Sequence, residues 1–360
     1  MTISVTAREV LRTRQVTGRI DPVARGSVAD TVRHLLAVQA QDFAQAVWAL
    51  GVRTAGATRS DVLAALASGE VVRTLPMRGT LHFIPAEDLG WMLDLTAART
   101  LQSATTRFRA LGLDEATLVR SEQVAIDALS RGNAMTRDGF MKALEAAGIS
   151  SEGQRGYHVI FYLTQRKLAC WGPPAGTQQA LVLVDEWIRN PRALARDESL
   201  REFAVRYFAA HGPATVRDFA WWTKLTLADA RAGIALAGDE LASMTLGDET
   251  YLISAREWDT ARTSKSGTGV HLLPGFDEYL LAYQDRSLPL AAIHSGRIVP
   301  GNNGIFLPII VAKGRVVGTW RRAAKSKTGE IEPEFFDAPS AALEKGVARA
   351  AKRYAAFVGG

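Results

Sequence analysis

The sequence predicts a mainly α protein with small β-hairpins, an α+β fold built from tandem winged-helix units. A helix, a second helix and a pair of short strands recur three times along the 360 residues. The composition, with 47% hydrophobic and 22% charged residues, is ordinary for a soluble globular protein. The longest apolar stretch, residues 305–312, is far too short to span a bilayer.

The first predicted segment covers residues 1–120 and contains two helices followed by a hairpin. The first helix has the spacing of an amphipathic helix, which is visible at Val28, Val32, Leu35 and Leu36. The second helix is predicted to begin at Ser60-Asp61, which offer N-cap chemistry, and to end at Gly69. Two strands around a turn at residues 76–79 complete the unit.

The second and third segments, residues 121–190 and 191–260, repeat this order. Thr136 is predicted to cap a helix, and a strand pair is predicted within residues 168–184. The third segment gives helix, short helix, helix and a hairpin at residues 241–254. A helix-turn-helix followed by a β-hairpin wing has this order, so three winged helices in tandem are expected.

The last segment, residues 261–360, has a different pattern. It opens with a connector rich in Ser, Thr and Gly, which indicates a mobile linker. The stretches at residues 271–287 and 305–322 indicate strands, with a hairpin that turns at Lys313-Gly314. A closing helix is predicted at residues 341–357, with Lys and Arg in its last turns, where the helix dipole favours cations.

One stretch of this last segment is strongly basic. The net charge of +6 and the pI of about 9.5 favour polyanionic partners, although a slightly basic enzyme of another kind would show the same values. Between Asp285 and Glu330 there is no acidic residue. We predict nucleic-acid contacts from Lys313, Arg315, Arg321, Arg322, Lys325 and Lys327. A solvated basic loop is the alternative.

Two glutamines, Gln39 and Gln41, lie where the first helical stripe should be closing. On a helix from Val28, position 39 falls on the packing face; on an extended chain, residues 39 and 41 share one side. At least one amide should therefore face an interior or a cleft. A buried amide must be hydrogen-bonded, so a clamp that satisfies backbone groups at the helix end is the structural alternative.

Other candidate residues give weaker signals. Asp277-Glu278 could supply a catalytic carboxylate, but Asp285-Arg286 nearby suggests a structural ion network. His82, on the first wing, is an accessory candidate, although a packed and hydrogen-bonded histidine is the simpler interpretation. Trp221-Trp222 are most simply core. One cysteine and six scattered histidines give no metal-ligand spacing, so neither a metal nor a disulfide is expected. The sequence also has no phosphate loop and no dinucleotide fingerprint, so no cofactor is expected.

Five short blocks follow one another along the chain: LLAVQAQD, LPMRGTLHFIPAEDL, GPATVRDFAWWTKL, LLPGFDEYLLAYQDRS and KGRVVGTWRR. In this order they resemble segments of the winged-helix DNA glycosylases of the azinomycin-resistance type, the AlkZ family with YcaQ as a broader relative. The resemblance implies a C-shaped scaffold of winged helices around a channel for duplex DNA. The family's catalytic motif, glutamine, a hydrophobic residue and glutamine, matches Gln39, Ala40 and Gln41. The YcaQ branch has aspartate at the third position, so Gln41 places this chain with the azinomycin-resistance branch.

The resemblance implies a monofunctional glycosylase that releases N7-alkylated guanine, including bulky adducts and interstrand crosslinks, from duplex DNA. We expect it to act as a monomer in the cytoplasm, at the nucleoid, without a nucleotide cofactor. A non-catalytic winged-helix DNA-binding protein or regulator is the alternative, although no heptad run that would support a dimer is present. A protein that sequesters the genotoxin itself is a third possibility.

Overall fold

The computed structural model describes residues 3–176, 178–324, 326 and 328–360. The chain forms two compact units, one of Met1–Val62 with Leu200–Gly360 and one of Leu63–Ser199. The first unit begins with β1 (Ile3–Ser4), α1 (Ala7–Thr17), α2 (Val28–Leu35), β2 (Val38–Gln39) and α3 (Phe43–Gly51). The next helix, α4 (Arg59–Ala67), crosses the boundary between the units.

The second unit contains a hairpin, two long helices, and a further pair of helices before a second hairpin. Its elements are β3 (Val71–Met77), β4 (Thr80–Pro85), α5 (Leu89–Ala110), α6 (Glu115–Leu129), β5 (Met135–Thr136), α7 (Arg137–Ala146), α8 (Arg155–Gln165), β6 (Ala169–Ala175), β7 (Gln178–Leu183) and α9 (Val184–Trp187). The strands lie in the order β4-β3-β6-β7-β5. The core is formed by apolar side chains of α5 to α8 and the sheet, such as Phe140, Leu144 and Leu163.

The first unit resumes with a helix–helix–helix–hairpin order and ends in a four-stranded sheet and a closing helix. Its elements are α10 (Arg196–His211), α11 (Val216–Thr223), α12 (Leu227–Ala237), β8 (Leu241–Leu246), β9 (Glu249–Ser254), α13 (Ala255–Thr263), β10 (Val270–Leu273), α14 (Glu278–Leu281), α15 (Ser295–Ile298), β11 (Ile309–Ala312), β12 (Arg315–Arg322), β13 (Ile331–Phe335) and α16 (Ala341–Gly359). β1 adds to β8 in parallel, and β10 to β13 form an antiparallel sheet in sequence order.

The predicted fold class, mainly α with small β-hairpins, is confirmed. Thr136 caps α7 as predicted, and the strand pair of the second segment is present as β6 and β7. The orders α6-β5-α7-α8-β6-β7 and α10-α11-α12-β8-β9 are those that a winged helix requires. The naming of these units as winged helices, and the division into four segments, stay predictions.

Three details of the sequence interpretation need correction. α4 begins at Arg59, and Thr58 rather than Ser60 exchanges hydrogen bonds with Asp61 at its start. The first segment contains an additional helix, α3. The stretch at 271–287 is not all strand, because the Asp277 side chain accepts the Tyr279 N–H at 2.8 Å and caps the short helix α14. Within the described residues, no helix is long and apolar enough to cross a membrane.

Candidate functional site

The backbone makes a sharp turn just before the two glutamines. α2 buries Val28, Val32 and Leu35 on one face and ends at Leu35. Leu36 has φ 66° and ψ −48°, and the Ala37 N–H donates to the Leu35 carbonyl at 2.8 Å. This is a γ-turn with positive φ, a rare and strained conformation that costs about 1–3 kcal/mol for a non-glycine residue. The turn directs the chain out of the helix and into an extended segment.

The extended segment places Gln39 and Gln41 on the same side of the chain. Ala40 between them is fully buried, whereas Gln39 is half-buried and Gln41 is exposed. This alternation is the one expected of extended backbone, so of the two conformations considered for this stretch the structure shows the extended one. Asp42, one residue later, accepts the Gln45 N–H at 3.2 Å and caps α3.

The Gln39 side chain does not close the helix end. Within the described part of the chain, its amide makes no hydrogen bond, whereas its backbone N–H donates to Glu278. A clamp would show the amide bonded to backbone groups of α2. The half-buried amide therefore has its oxygen and its NH₂ group available to water or a ligand.

The backbone under Gln39 is held by a buried carboxylate. The Gln39 N–H donates to Glu278 Oε1 at 2.9 Å, and the indole Nε1–H of Trp222 donates to Glu278 Oε2 at 2.8 Å. Glu278 is 3% exposed and Trp222 is fully buried. Trp222 thus belongs to the core, as predicted. It also shares the Glu278 carboxylate with the backbone N–H of Gln39.

An ion pair lies next to this carboxylate. Arg53 Nη1 and Nη2 donate to the two carboxylate oxygens of Asp277 at 2.8 and 2.7 Å, and both side chains are almost completely buried. The ion network expected at Asp285-Arg286 has a different form: Asp285 accepts the Ser287 N–H, and Arg286 Nε donates to the Leu280 carbonyl. The buried ion pair at Asp277 tethers the residue that precedes Glu278.

The predicted DNA-contacting residues fall into separate groups. The turn at Lys313-Gly314 has φ of 51° and 81°, as the predicted hairpin requires, but Gly314 is buried and its carbonyl accepts the Tyr279 hydroxyl at 2.6 Å. Lys313 and Arg315 on either side are exposed. This tip packs against its own unit, since a Cβ at Gly314 would lie 2.8 Å from the Leu11 side chain.

The other arginines lie at the far end of β12, about 20 Å along the strand from Arg315. Arg321 Nε donates to Glu332 Oε2 at 2.6 Å across the strand pair, and its side chain is 80% exposed. Arg322 donates to the Ser326 carbonyl at 2.6 Å. Lys325 and Lys327 lie outside the described residues. The sequence interval without acidic residues ends at Glu330, so it did not predict that Glu332 would neutralise Arg321. Cross-strand pairing of β12 with β13 brings these two residues together.

His82 is a packed histidine of the second unit. It is fully buried, its Nδ1 lies 2.8 Å from the Thr80 carbonyl, and its Nε2 lies 2.8 Å from Arg78 Nη2. Burial, followed by the nearby Arg78 charge, lowers the pKa of His82 well below its usual value, so the ring is neutral at pH 7. His82 is thus packed and hydrogen-bonded, which is the simpler of the two interpretations of this residue. An accessory role in chemistry stays a prediction.

Sequence reasoning considered Glu278, together with Asp277, as a catalytic carboxylate, but it did not predict the contact of Glu278 with the Gln39 backbone. The sequence signal was an acid next to Asp277 in an otherwise apolar stretch, because acidic residues are rarely buried unless they are bonded. That signal does not say which donors the acid meets. Among the residues that the structure describes, no group of three or more His, Cys, Asp or Glu side chains could hold a metal ion.

Comparison with known proteins identifies the family. A profile described as DNA glycosylase AlkZ-like matches residues 32–357. A curated protein of Streptomyces sahachiroi, "Interstrand DNA cross-link repair glycosylase", is 28% identical over 364 residues, which covers 96% of this chain and 95% of the relative. The solved structure of Streptomyces sahachiroi DNA glycosylase AlkZ superposes with a TM-score of 0.85 at 25% identity, over 99% of this chain and 98% of that one. The chain belongs to the AlkZ-like family of DNA glycosylases.

Proposed function

We propose that this protein is a monofunctional glycosylase that hydrolyses the N-glycosidic bond of N7-alkylated guanine in duplex DNA, in the repair of interstrand crosslinks or related bulky damage. The observation that carries the proposal is the state of Gln39. Its amide is half-buried and makes no hydrogen bond within the described chain, while its backbone is anchored after a strained turn. A fixed backbone with an unbonded side-chain amide is the arrangement expected of a group that is preorganised to bind a ligand.

The chemistry of the lesion explains why neutral amides suffice. Alkylation at N7 gives guanine a positive charge, so the base leaves with the electron pair of the C1′–N9 bond and becomes neutral. Water then forms the new C1′–O bond and loses its proton to solvent. The protein has to hold this water on the correct face of the sugar and to direct dipoles at the oxocarbenium-like transition state. Amide oxygens of Gln39 and Gln41 can perform both tasks.

The basic residues of β12 supply a surface for the DNA backbone. Arg321 and Arg322 lie at one end of the strand, and Lys325 and Lys327 follow in the connecting sequence. The exposed pair of Arg321 with Glu332 contributes little to stability, about 0–1 kcal/mol, so a phosphate can displace the carboxylate. Phosphate contacts of this kind position a protein on DNA without reading its sequence.

The test is release of free base. Purified protein is incubated with a duplex that contains one N7-methylguanine, and the product is separated by chromatography. The proposal requires free N7-methylguanine and an abasic site, and the same duplex without the lesion is the control. A regulator would bind the duplex without releasing base, and a protein that sequesters the genotoxin would bind the free compound instead. Either result would refute the proposal.

A second substrate tests lesion size. A bulky guanine adduct cannot be turned into a snug pocket as a small base can. If the protein acts on bulky damage, a duplex with a large N7 adduct or an N7–N7 crosslink should be processed at a rate within about tenfold of the methylated duplex, the range that one or two lost contacts would give. Release of methylated base alone would limit the proposal to small lesions.

A further inference from the structure

Glu278 has an environment that fixes its carboxylate at both oxygens. Oε1 accepts the Gln39 backbone N–H at 2.9 Å, and Oε2 accepts the Trp222 indole N–H at 2.8 Å. An ionised carboxylate is an acceptor at both oxygens, whereas an amide of the same shape has one acceptor and one donor group. A glutamine at this position would therefore present an N–H to one of the two N–H donors.

The second donor cannot move to compensate. Trp222 is fully buried, and its ring centroid lies 6.2 Å from that of Phe203 and 5.2 Å from that of Tyr207. A close-packed aromatic cluster of this kind leaves little freedom to rotate. The Trp222 indole therefore fixes the position of the Glu278 carboxylate, and the carboxylate in turn fixes the Gln39 peptide.

The chain just before Glu278 is tied to α3 and to Arg53, which follows α3. The Gly275 N–H donates to Gln45 Oε1 at 2.9 Å, and Asp277 binds Arg53 through two hydrogen bonds. Residues 275–278 thus contact the chain at three points: before α3 at Gln39, within α3 at Gln45, and after α3 at Arg53. Phe276 between them has a positive φ of 59°, a second constrained backbone position at this junction.

We propose that Glu278 is a positioning residue for base release. Its carboxylate holds the Gln39 peptide in the extended conformation that follows the strained turn at Leu36, and so fixes the direction of the Gln39 amide. Glu278 acts through Gln39 and needs no contact with the DNA. This inference rests on the proposed role of Gln39 in orienting water.

The test compares Glu278→Gln with Glu344→Gln, the same change at an exposed residue of α16. Three quantities are measured: the dissociation constant for lesion-containing duplex, the single-turnover rate of base release, and the hydrogen exchange of peptides spanning residues 35–42. Val347→Ala serves as a destabilised control, because Val347 is buried in α16 and is not part of the 275–278 segment. All rates are taken at a temperature where each variant is folded.

The proposal expects Glu278→Gln to bind DNA within about twofold of the unaltered protein and to release base about 10- to 100-fold more slowly, the effect of misplacing a catalytic group slightly. Exchange in residues 35–42 should be faster than in Glu344→Gln. A rate of base release equal to that of Glu344→Gln would overturn the proposal. So would an equal loss of rate in Val347→Ala, if the two variants have the same melting temperature. If the unaltered protein releases no base, the proposed function fails on its own, and unchanged exchange in Glu278→Gln would still overturn the positioning role.

Discussion

Replacing Gln39 or Gln41 by alanine should separate catalysis from binding and stability. Removing one preorganised polar contact in a site of this kind slows the chemical step by about 10²- to 10³-fold. In the proposed mechanism the amides act on the reacting sugar and the water rather than on the phosphates, so DNA affinity should change little. Because the proposal has both groups hold one water molecule, the double substitution should cost less than the product of the single effects.

The structure also gives the expected effect on stability at Gln39. The amide makes no hydrogen bond in the described chain, so Gln39→Ala leaves no buried partner unsatisfied. The free energy of unfolding should fall by less than about 1 kcal/mol, as for a substitution outside the core. A helix-end clamp would instead lose about 1–3 kcal/mol, the cost of leaving a buried backbone group without its partner.

The assay is single-turnover release of N7-methylguanine with protein in excess over DNA, alongside thermal unfolding and a binding titration. Gln123→Ala, at an exposed position of α6, is the control for the same change of side chain. A Gln39→Ala protein that is folded, binds DNA and releases base as fast as Gln123→Ala would refute the reasoning. So would a loss of activity that simply follows the folded fraction.

Three further predictions concern the basic end of β12, Gln41 and His82. Replacing Arg321 and Arg322 by alanine should weaken DNA binding uniformly and lower the log–log slope of binding against salt by up to about two, and an unchanged slope would place them outside the interface. Gln41→Asp, the arrangement of the YcaQ branch, should keep or broaden base release; a folded, DNA-binding but inert protein would contradict the water-positioning mechanism. His82 is held neutral in the fold, whereas in the unfolded chain it binds a proton below pH about 6.5. Its contribution to stability is therefore present above that pH and is lost as the pH falls, with a slope of up to about 1.4 kcal/mol per pH unit. The melting temperature should therefore fall more between pH 7.5 and pH 5 in the unaltered protein than in His82→Gln, and an equal fall in both would contradict this account.

The local elements of this fold could be predicted from sequence because their signals are local. The cap at Thr136, the turn at Lys313-Gly314 and the closing helix α16 depend on residues within a few positions of each other. Periodicity and turn chemistry report such elements directly. The short helix α14 was missed because its local signal is ambiguous. Its cap, Asp277, lies in an apolar stretch that also fits a strand.

The arrangement of the site could not be predicted in this way. The contact between Gln39 and Glu278 joins residues 239 positions apart, and the parallel pairing of β1 with β8 joins chain segments of similar separation. No periodic signal within a window of a dozen residues contains that information. The strain at Leu36 is also invisible, because leucine has no preference for positive φ, and only the surrounding packing of α2 and the anchored Gln39 peptide holds it there.

The use of uncharged groups limits which lesions such a site can release. If each glutamine contributes about 10²- to 10³-fold, the pair together accounts for at most about 10⁴- to 10⁶-fold, or roughly 5–8 kcal/mol of the barrier. A neutral purine would in addition need its leaving group protonated, and an amide cannot donate that proton. A base that already carries a positive charge does not have this requirement. Selectivity then comes from the charge of the leaving group rather than from a pocket that recognises its shape, and a site with this form of selectivity can accept large adducts as readily as small ones.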